Sequence, residues 1–333
     1  MRTLSRLILF VLLAVAVGCS SSTVDEIVEV VQDPPRRQID YSKLGLNSFV
    51  NDQRFGSIAA QLGEVRNTLR IRHIRVLFAW NDQVQPRPGG PINFSFYDDI
   101  LRSVPGDMEL LVVLAHVPSW MHDQQHWIEG NPRTTFVELW VRQVLERYGN
   151  HGRIAAFQVW NEPNQLVNPD NVLLNIDVNP ENYVEMLARA HSVIKDIAPG
   201  KLVVNAATTA INQNYPDTIR YNRTMRDAGI EQFVDVFATH YYGKQFENVI
   251  RRRGVRDFLN DISRPIWLTE SGQQGLDQQL DYVERTWPFL TERIPGIERI
   301  YYYQHTEAVP ADVCYGLRNL ERVSDLFIHL RDR

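Results

Sequence analysis

Cysteine is almost absent from this sequence: of 333 residues only Cys19 and Cys314 carry a thiol. That excludes a disulfide scaffold and a cysteine-based zinc site. An excess of basic charge is also missing. Thirty-five Lys and Arg face 40 Asp and Glu, a net charge of −5, so nothing draws the chain to nucleic acid by phosphate neutralisation. The N-terminal apolar run, Leu7 to Val17, has eleven residues, too few to span a bilayer comfortably. No glycine-rich nucleotide loop follows any strand-like segment. What remains is ordinary for a folded protein, with 44% hydrophobic and 23% charged residues. Disordered, collagen-like and low-complexity chains are thereby excluded. The length admits two average domains or one large α/β barrel.

The N-terminus reads as a targeting segment. Arg2 and Arg6 precede the apolar run, which suits a signal-peptide core. The run ends at Ala16-Val17-Gly18-Cys19, followed by Ser20, Ser21 and Ser22. This pattern resembles a bacterial lipoprotein signal, although Ala16 stands where Leu is usual. The resemblance implies that residues 1–18 are removed and that Cys19 carries a diacylglyceryl anchor. The protein would then sit in the cell envelope, on the periplasmic side of the outer membrane or at the cell surface; Ser20 after the cysteine resembles outer-membrane sorting. Residues 19–40 are expected to form a tether, with Asp33-Pro34-Pro35 near its end. Val28, Val30 and Val31 could pack on the domain that follows, residues 41–333.

From Leu44 onward, strand-like and helix-like segments alternate. Strands are expected at 44–51, 73–80, 110–117, 154–160, 202–207, 234–240, 265–269 and 297–303. Helical patterns are expected from the first strand to Leu69, at 97–104, 136–148, 221–227, 249–262 and 276–292, with a short one near 325–330. Another begins at Asn179-Pro180-Glu181, with Asn as N-cap and Pro in the first turn. Its apolar face is Tyr183, Leu187, Ala190, Ile194 and Ile197, and Pro199-Gly200 ends it. Apolar strands separated by helices argue for a parallel sheet buried on both faces. Eight such units predict a single-domain α/β protein, a (β/α)8 TIM barrel. An open doubly wound sheet is the alternative, disfavoured by the missing nucleotide loop.

In such a barrel, chemistry gathers at the C-terminal strand ends. The fourth strand leads into Trp160-Asn161-Glu162-Pro163, and the seventh ends Leu268-Thr269-Glu270. One glutamate after a strand is an ordinary solvated residue. Two, on strands four and seven, are what glycosidic bond cleavage requires: a proton donor to the leaving oxygen, and a second carboxylate at the anomeric carbon. His122 and His126, four residues apart, lack a third ligand and a helix, so no metal and no cofactor are expected. Trp120 and Trp127 offer aromatic faces for sugar rings, and His116 at the end of strand three is a candidate sugar contact. Asn205 and Gln304 are lesser candidates. Cys314 reads as a packed free thiol.

Trp160-Asn161-Glu162-Pro163 resembles the acid/base motif of the clan A retaining β-glycosidases, and Leu268-Thr269-Glu270 resembles their nucleophile strand. The resemblance covers the chain from Leu44. It implies that Glu162 is the general acid/base, that Glu270 is the nucleophile and that Asn161 bonds the sugar 2-hydroxyl. It places Arg75 beneath the nucleophile, brings His240 and Tyr242 into the site with the Tyr242 hydroxyl on Glu270, and leaves Tyr303 as the aromatic floor where Trp is common. Within the clan, the barrel and Val76-Leu77-Phe78-Ala79-Trp80 look most like glycoside hydrolase family 39. The added β-sandwich of some relatives is not expected, since the sequence ends almost at the last helix. It looks more like the barrel hydrolases associated with bacterial exopolysaccharides.

The expected protein is thus a monomeric, lipid-anchored retaining glycoside hydrolase that cleaves β-bonds of a poly- or oligosaccharide by double displacement. The competing readings are a glycan-binding lipoprotein on a catalytically retired barrel, and an unrelated barrel enzyme such as a metal hydrolase or an aldolase. Both glutamates, Asn161 and Tyr242 argue against the first. The lack of paired strand-end histidines or a strand-end lysine argues against the second.

Overall fold

A computed structural model describes residues 21–333; the signal segment and Cys19 lie outside the described residues. Eight parallel strands form one sheet: β1 (Leu44–Asn47), β2 (His73–Ala79), β3 (Glu109–Ala115), β4 (Ile154–Val159), β5 (Leu202–Asn205), β6 (Phe237–Tyr242), β7 (Ile266–Gly272) and β8 (Ile297–Tyr302). Their order, β5-β4-β3-β2-β1-β8-β7-β6, curls the sheet until β5 and β6 meet. The barrel is closed there by one bridge, Val204 to Val236, and by a side chain. Asn205 accepts from the Ala238 amide at 2.7 Å and donates to the Ala238 carbonyl at 3.1 Å, as a neighbouring backbone would. Asn205 is therefore a barrel staple rather than a sugar contact.

Side-chain alternation along each strand sorts two environments. Ile74, Val76 and Phe78 of β2 point outward into the layer between strands and helices. The lumen has an apolar plug of Leu111, Ala156, Val204, Ala238, Trp267 and Tyr301. Tyr301 fits only because β1 carries Gly45: a Cβ there would lie 2.5 Å from the Tyr301 ring. Above the plug the lumen turns polar, with Asn47, Arg75, Gln158, His240 and Glu270 all buried.

Several segments differ from the sequence reading. The stretch expected as a tether contains a helix, Ser21–Val31. It is docked on the barrel by Glu26 to Arg256 at 3.0 Å and Glu29 to Arg293 at 2.5 Å, and beyond it Asp33 meets Lys244 at 2.6 Å. The pattern at 249–262 is two helices, Glu247–Ile250 and Val255–Asn260. At Gly254, just before the second, a Cβ would lie 2.5 Å from the Asn248 carbonyl oxygen. The helix Pro180–Ile197 starts where expected, but Asn179 does not cap it; its amide donates to Asn175 at 2.7 Å instead. Among the described residues no helix is long and apolar enough to cross a membrane.

Gly45→Ala is expected to cost about 1–3 kcal/mol, the usual penalty for overpacking a filled core, measured as a lower denaturant midpoint. An unchanged midpoint would show that the Tyr301 ring yields freely.

Candidate active site

Arg75 sits at the centre of the polar lumen. A guanidinium is permanently charged and costly to bury without partners, yet this residue is only 2% exposed. It donates to four side chains from four parts of the barrel: Asn47 Oδ1 at 2.7 Å, Gln158 Oε1 at 2.8 Å, Asn161 Oδ1 at 2.6 Å and Glu270 Oε1 at 2.6 Å. Asn47 is the register partner of Arg75, and its own amide donates to the carbonyls of Thr269 and Tyr302. Because Asn161 spends its oxygen on Arg75, its amide NH2 is left as a donor for another group.

Glu270 lies within β7, not beyond it as the sequence reading had it. Strict alternation from the inward Trp267 would turn Glu270 outward. The register of β7 shifts against both neighbours here: Thr239 pairs with Leu268, but His240 pairs with Glu270. Thr269 is the extra residue, and the bulge turns the carboxylate back into the lumen. There Glu270 accepts from Arg75 and, at 2.9 Å, from the Tyr242 hydroxyl. Burial pushes its carboxyl up, but His240, Arg75 and the hydrogen bond from Tyr242 more than offset that and hold it below the ordinary carboxylate value. Burial and the adjacent Glu270 push the Tyr242 phenol well up, so it remains a donor.

Glu162 stands past the end of β4, on a loop bent by two non-glycine residues at positive φ, Trp160 at 75° and Glu162 at 45°. Such backbone is costly and persists only where its surroundings enforce it. Buried Asn171 does so: it accepts from Trp160 Nε1 at 2.8 Å and donates to the carbonyls of Glu162 and Gln165. The Glu162 amide is tied to the Ala207 carbonyl at 2.9 Å. His240 lies between the two acids, with Nδ1 3.1 Å from Glu162 and Nε2 3.6 Å from Glu270. Ligand atoms of Glu162, His240 and Glu270 all fall within 4.8 Å of one another. A divalent ion could bridge such a spacing, but Arg75 already provides the positive charge at Glu270.

Arg75, Asn161, Glu162 and Glu270 line a chamber of about 220 Å³ with Phe49, His116 and Tyr303 on its walls. It shares those three residues and Leu77 with a wider chamber of about 720 Å³ that runs over β2 and β3 past Asn81, Asn93 and Phe96. Tyr303 and Phe49 meet edge to face at 6.0 Å. His116, at φ 67°, is turned toward Asp170, 3.2 Å away.

Of the residues singled out from the sequence, Glu162, Glu270, Asn161, Arg75, His116, His240, Tyr242 and Tyr303 converge here. Trp120 does not. Its indole donates to the Gln85 carbonyl at 2.9 Å and its ring stands at 82° to buried Trp80, so it supports a loop and is not among the residues that line either chamber. Trp127 is likewise tied down, to the Met121 carbonyl at 2.7 Å. Sequence reasoning missed Asn47, Gln158, Phe49, Asp170 and Asn171. Asn47 and Gln158 left a signal: each is a lone amide in an otherwise apolar strand, and a buried Arg needs such acceptors.

Fold and site together define a barrel glycoside hydrolase. The family model for Cellulase (glycosyl hydrolase family 5) matches residues 39–305, and the chain belongs to that family. Among solved structures, a family 39 glycoside hydrolase from the gut symbiont Bacteroides cellulosilyticus WH2 aligns at TM-score 0.62 and 14% identity, over 89% of this chain and 64% of its own. A family 39 β-xylosidase from Caulobacter crescentus aligns at 0.61 and 18%, over 90% and 72%. A β-glucosidase from Thermotoga maritima aligns at 0.62 and 14%, over 90% and 98%. At these identities the likeness is one of fold. The likeness to family 39 read from the sequence holds at that level, and the family shown belongs to the same clan A. The chain spans 64% of the length of the Bacteroides protein and 72% of the Caulobacter one. No curated protein matches the sequence significantly.

Removing the Tyr242 hydroxyl takes away a hydrogen bond that is stronger to ionised Glu270 than to the neutral acid. Tyr242→Phe is therefore expected to raise the Glu270 pKa, measured by carbon NMR titration of the carboxyl. An unchanged or lower value would mean that the hydroxyl does not favour the charged form.

Proposed function

We propose that this protein hydrolyses β-glycosidic bonds of an oligo- or polysaccharide with retention of configuration, as a lipid-anchored protein of the cell envelope. The observation that carries the catalytic reading is the pair of carboxylates with oxygens within 4.8 Å, of which Glu270 alone is bonded to Arg75. Inverting enzymes hold their carboxyl groups about 6.5–9.5 Å apart to seat a water, whereas retaining ones hold them about 5–5.5 Å apart. The spacing supports direct attack.

Glu270, ionised and held from two sides, attacks the anomeric carbon. Glu162 protonates the departing glycosidic oxygen as that bond breaks. Glu162, now a carboxylate, takes a proton from water, which displaces Glu270 and regenerates both groups. Asn161, its oxygen fixed by Arg75, directs its NH2 toward the sugar 2-hydroxyl. Tyr303 and Phe49 wall the reacting ring, and the wider chamber accommodates further sugar units, which supports a substrate longer than one residue. A retired, glycan-binding barrel would have no need to keep a buried Arg75 on an ionised Glu270. Screening against neutral plant polysaccharides and bacterial exopolysaccharides would identify the substrate.

Glu162→Ala should retain more activity on an activated aryl β-glycoside than on a natural glycan, since a good leaving group needs little protonation. Glu270→Ala should lose both; equal, mild losses would refute the assignment of roles. Proton NMR at early times should show the β-anomer as first product, and an initial α-anomer would refute attack by Glu270.

The anchor rests on Gly18-Cys19 after the apolar run. Cys19→Ser should move the protein out of the membrane fraction; retention there, with unprocessed wild type at steady state, would count against lipidation.

A further inference from the structure

The opposite end of the barrel, where β1 and β2 begin, has a cavity that the reaction does not use. It measures about 460 Å³, and its walls include Tyr41, Ser42, Arg66, Arg70, Arg72 and His73. Three arginines and a histidine line it in a chain of net charge −5, and no carboxylate is among the described lining residues. The nearest acids compensate only in part. Asp107 is paired with Arg66 and lies 3.7 Å from Arg72, while Glu109 is shared between His73 and Arg299.

Among the described residues Arg72 has no other ion-pair partner, and its side chain is 64% exposed. Arg70, at φ 54°, reaches the main-chain oxygens of Arg331 and Arg333. A fourth guanidinium, that of Arg333, stacks over the lining Tyr41 at 4.3 Å, and its Nη1 is buried without a partner. Burial and the neighbouring Arg70 push the Arg333 guanidinium down.

Planar guanidinium forks match oxyanions, and one phosphate has enough oxygens to accept from two or three forks where a carboxylate is filled by one. We propose that this cavity binds a phosphate group through Arg66, Arg70 and Arg72. Two sources share that chemistry: a free phosphate and the phosphodiester of a lipid headgroup. The docked N-terminal segment bears on the choice. Asp33 meets Lys244 just past the mouth end of β6, whereas Glu29 and Glu26 meet Arg293 at the last turn of Gln279–Arg293, toward the barrel foot. The chain therefore enters from the side of the Arg cavity. If Cys19 is acylated, as in the reading above, this is the face that meets headgroups.

Isothermal titration of the full chain with soluble probes tests the site without depending on acylation. The probes are inorganic phosphate and monomeric short-chain phosphatidylglycerol. Saturable binding of either is expected. Arg72→Gln should weaken it about tenfold, as loss of a charged hydrogen bond does, and Arg72→Lys should restore part of it. Arg70→Gln combined with Arg72→Gln should abolish it. Aryl glycosidase activity should stay unchanged in Arg72→Gln, which shows that the exposed substitution leaves the fold intact. Tighter binding of the lipid probe assigns the site to a headgroup, and tighter binding of inorganic phosphate assigns it to the free ion. Binding of neither probe, or equal binding by wild type and Arg72→Gln, would overturn the proposal.

Discussion

One buried cation organises the catalytic end of this barrel. Arg75 cannot lose its charge, and in the lumen it must find acceptors for its N–H groups. The structure supplies them from β1, from β4 and β7 across the lumen, and from the loop after β4, so a single guanidinium sets the positions of Asn47, Gln158, Asn161 and Glu270 together. Breaking one partner leaves an uncompensated buried group. Arg75 thus couples the integrity of the lumen to the ionisation of Glu270, and the two properties are not separable by mutation at that residue.

The same arrangement distinguishes two chemically identical side chains. Glu270 is buried, fixed by a strand and bonded on both oxygens. Glu162 is on a strained loop, partly open to solvent, and meets only the imidazole of His240. The backbone contributes as much as the side chains. A bulge at Thr269 aims one acid, and two positive-φ residues held by Asn171 aim the other. His240 spans the gap, so movement of either acid is felt by a common neighbour.

Much of this was legible in the sequence, for definite physical reasons. Buried parallel strands are continuous apolar runs, so all eight were visible, and strand-end glutamates stood out against them. Their limits were less so: β6 extends to Tyr242 because its last aromatics alternate between lumen and helix layer, a pattern that apolarity alone does not separate. The bulge in β7 was invisible, since an inserted residue changes register but not composition. Trp120 misled because an exposed sugar platform and an indole pinned to a carbonyl have the same letter. The docked N-terminal helix was hidden for a related reason: Glu26 and Glu29 look solvated until Arg256 and Arg293, more than two hundred residues later, are brought beside them.

The seam between β5 and β6 has a consequence for how the barrel can move. Seven ladders join the eight strands in order, while β5 and β6, at the two ends of that order, meet through one bridge and the amide of Asn205. β5 sends no side chain into the reacting chamber, but the Ala207 carbonyl just beyond it holds the Glu162 amide, and β6 carries His240, which lies between both glutamates. Amide hydrogens along Leu202–Asn205 should thus exchange ahead of those in the other strands, and a parting of the sheet there would draw Glu162, tied to the β5 side, away from His240 on β6. The weakest joint of the cylinder therefore falls beside Glu162, the less firmly held of the two acids, and away from the pairing of Arg75 with Glu270.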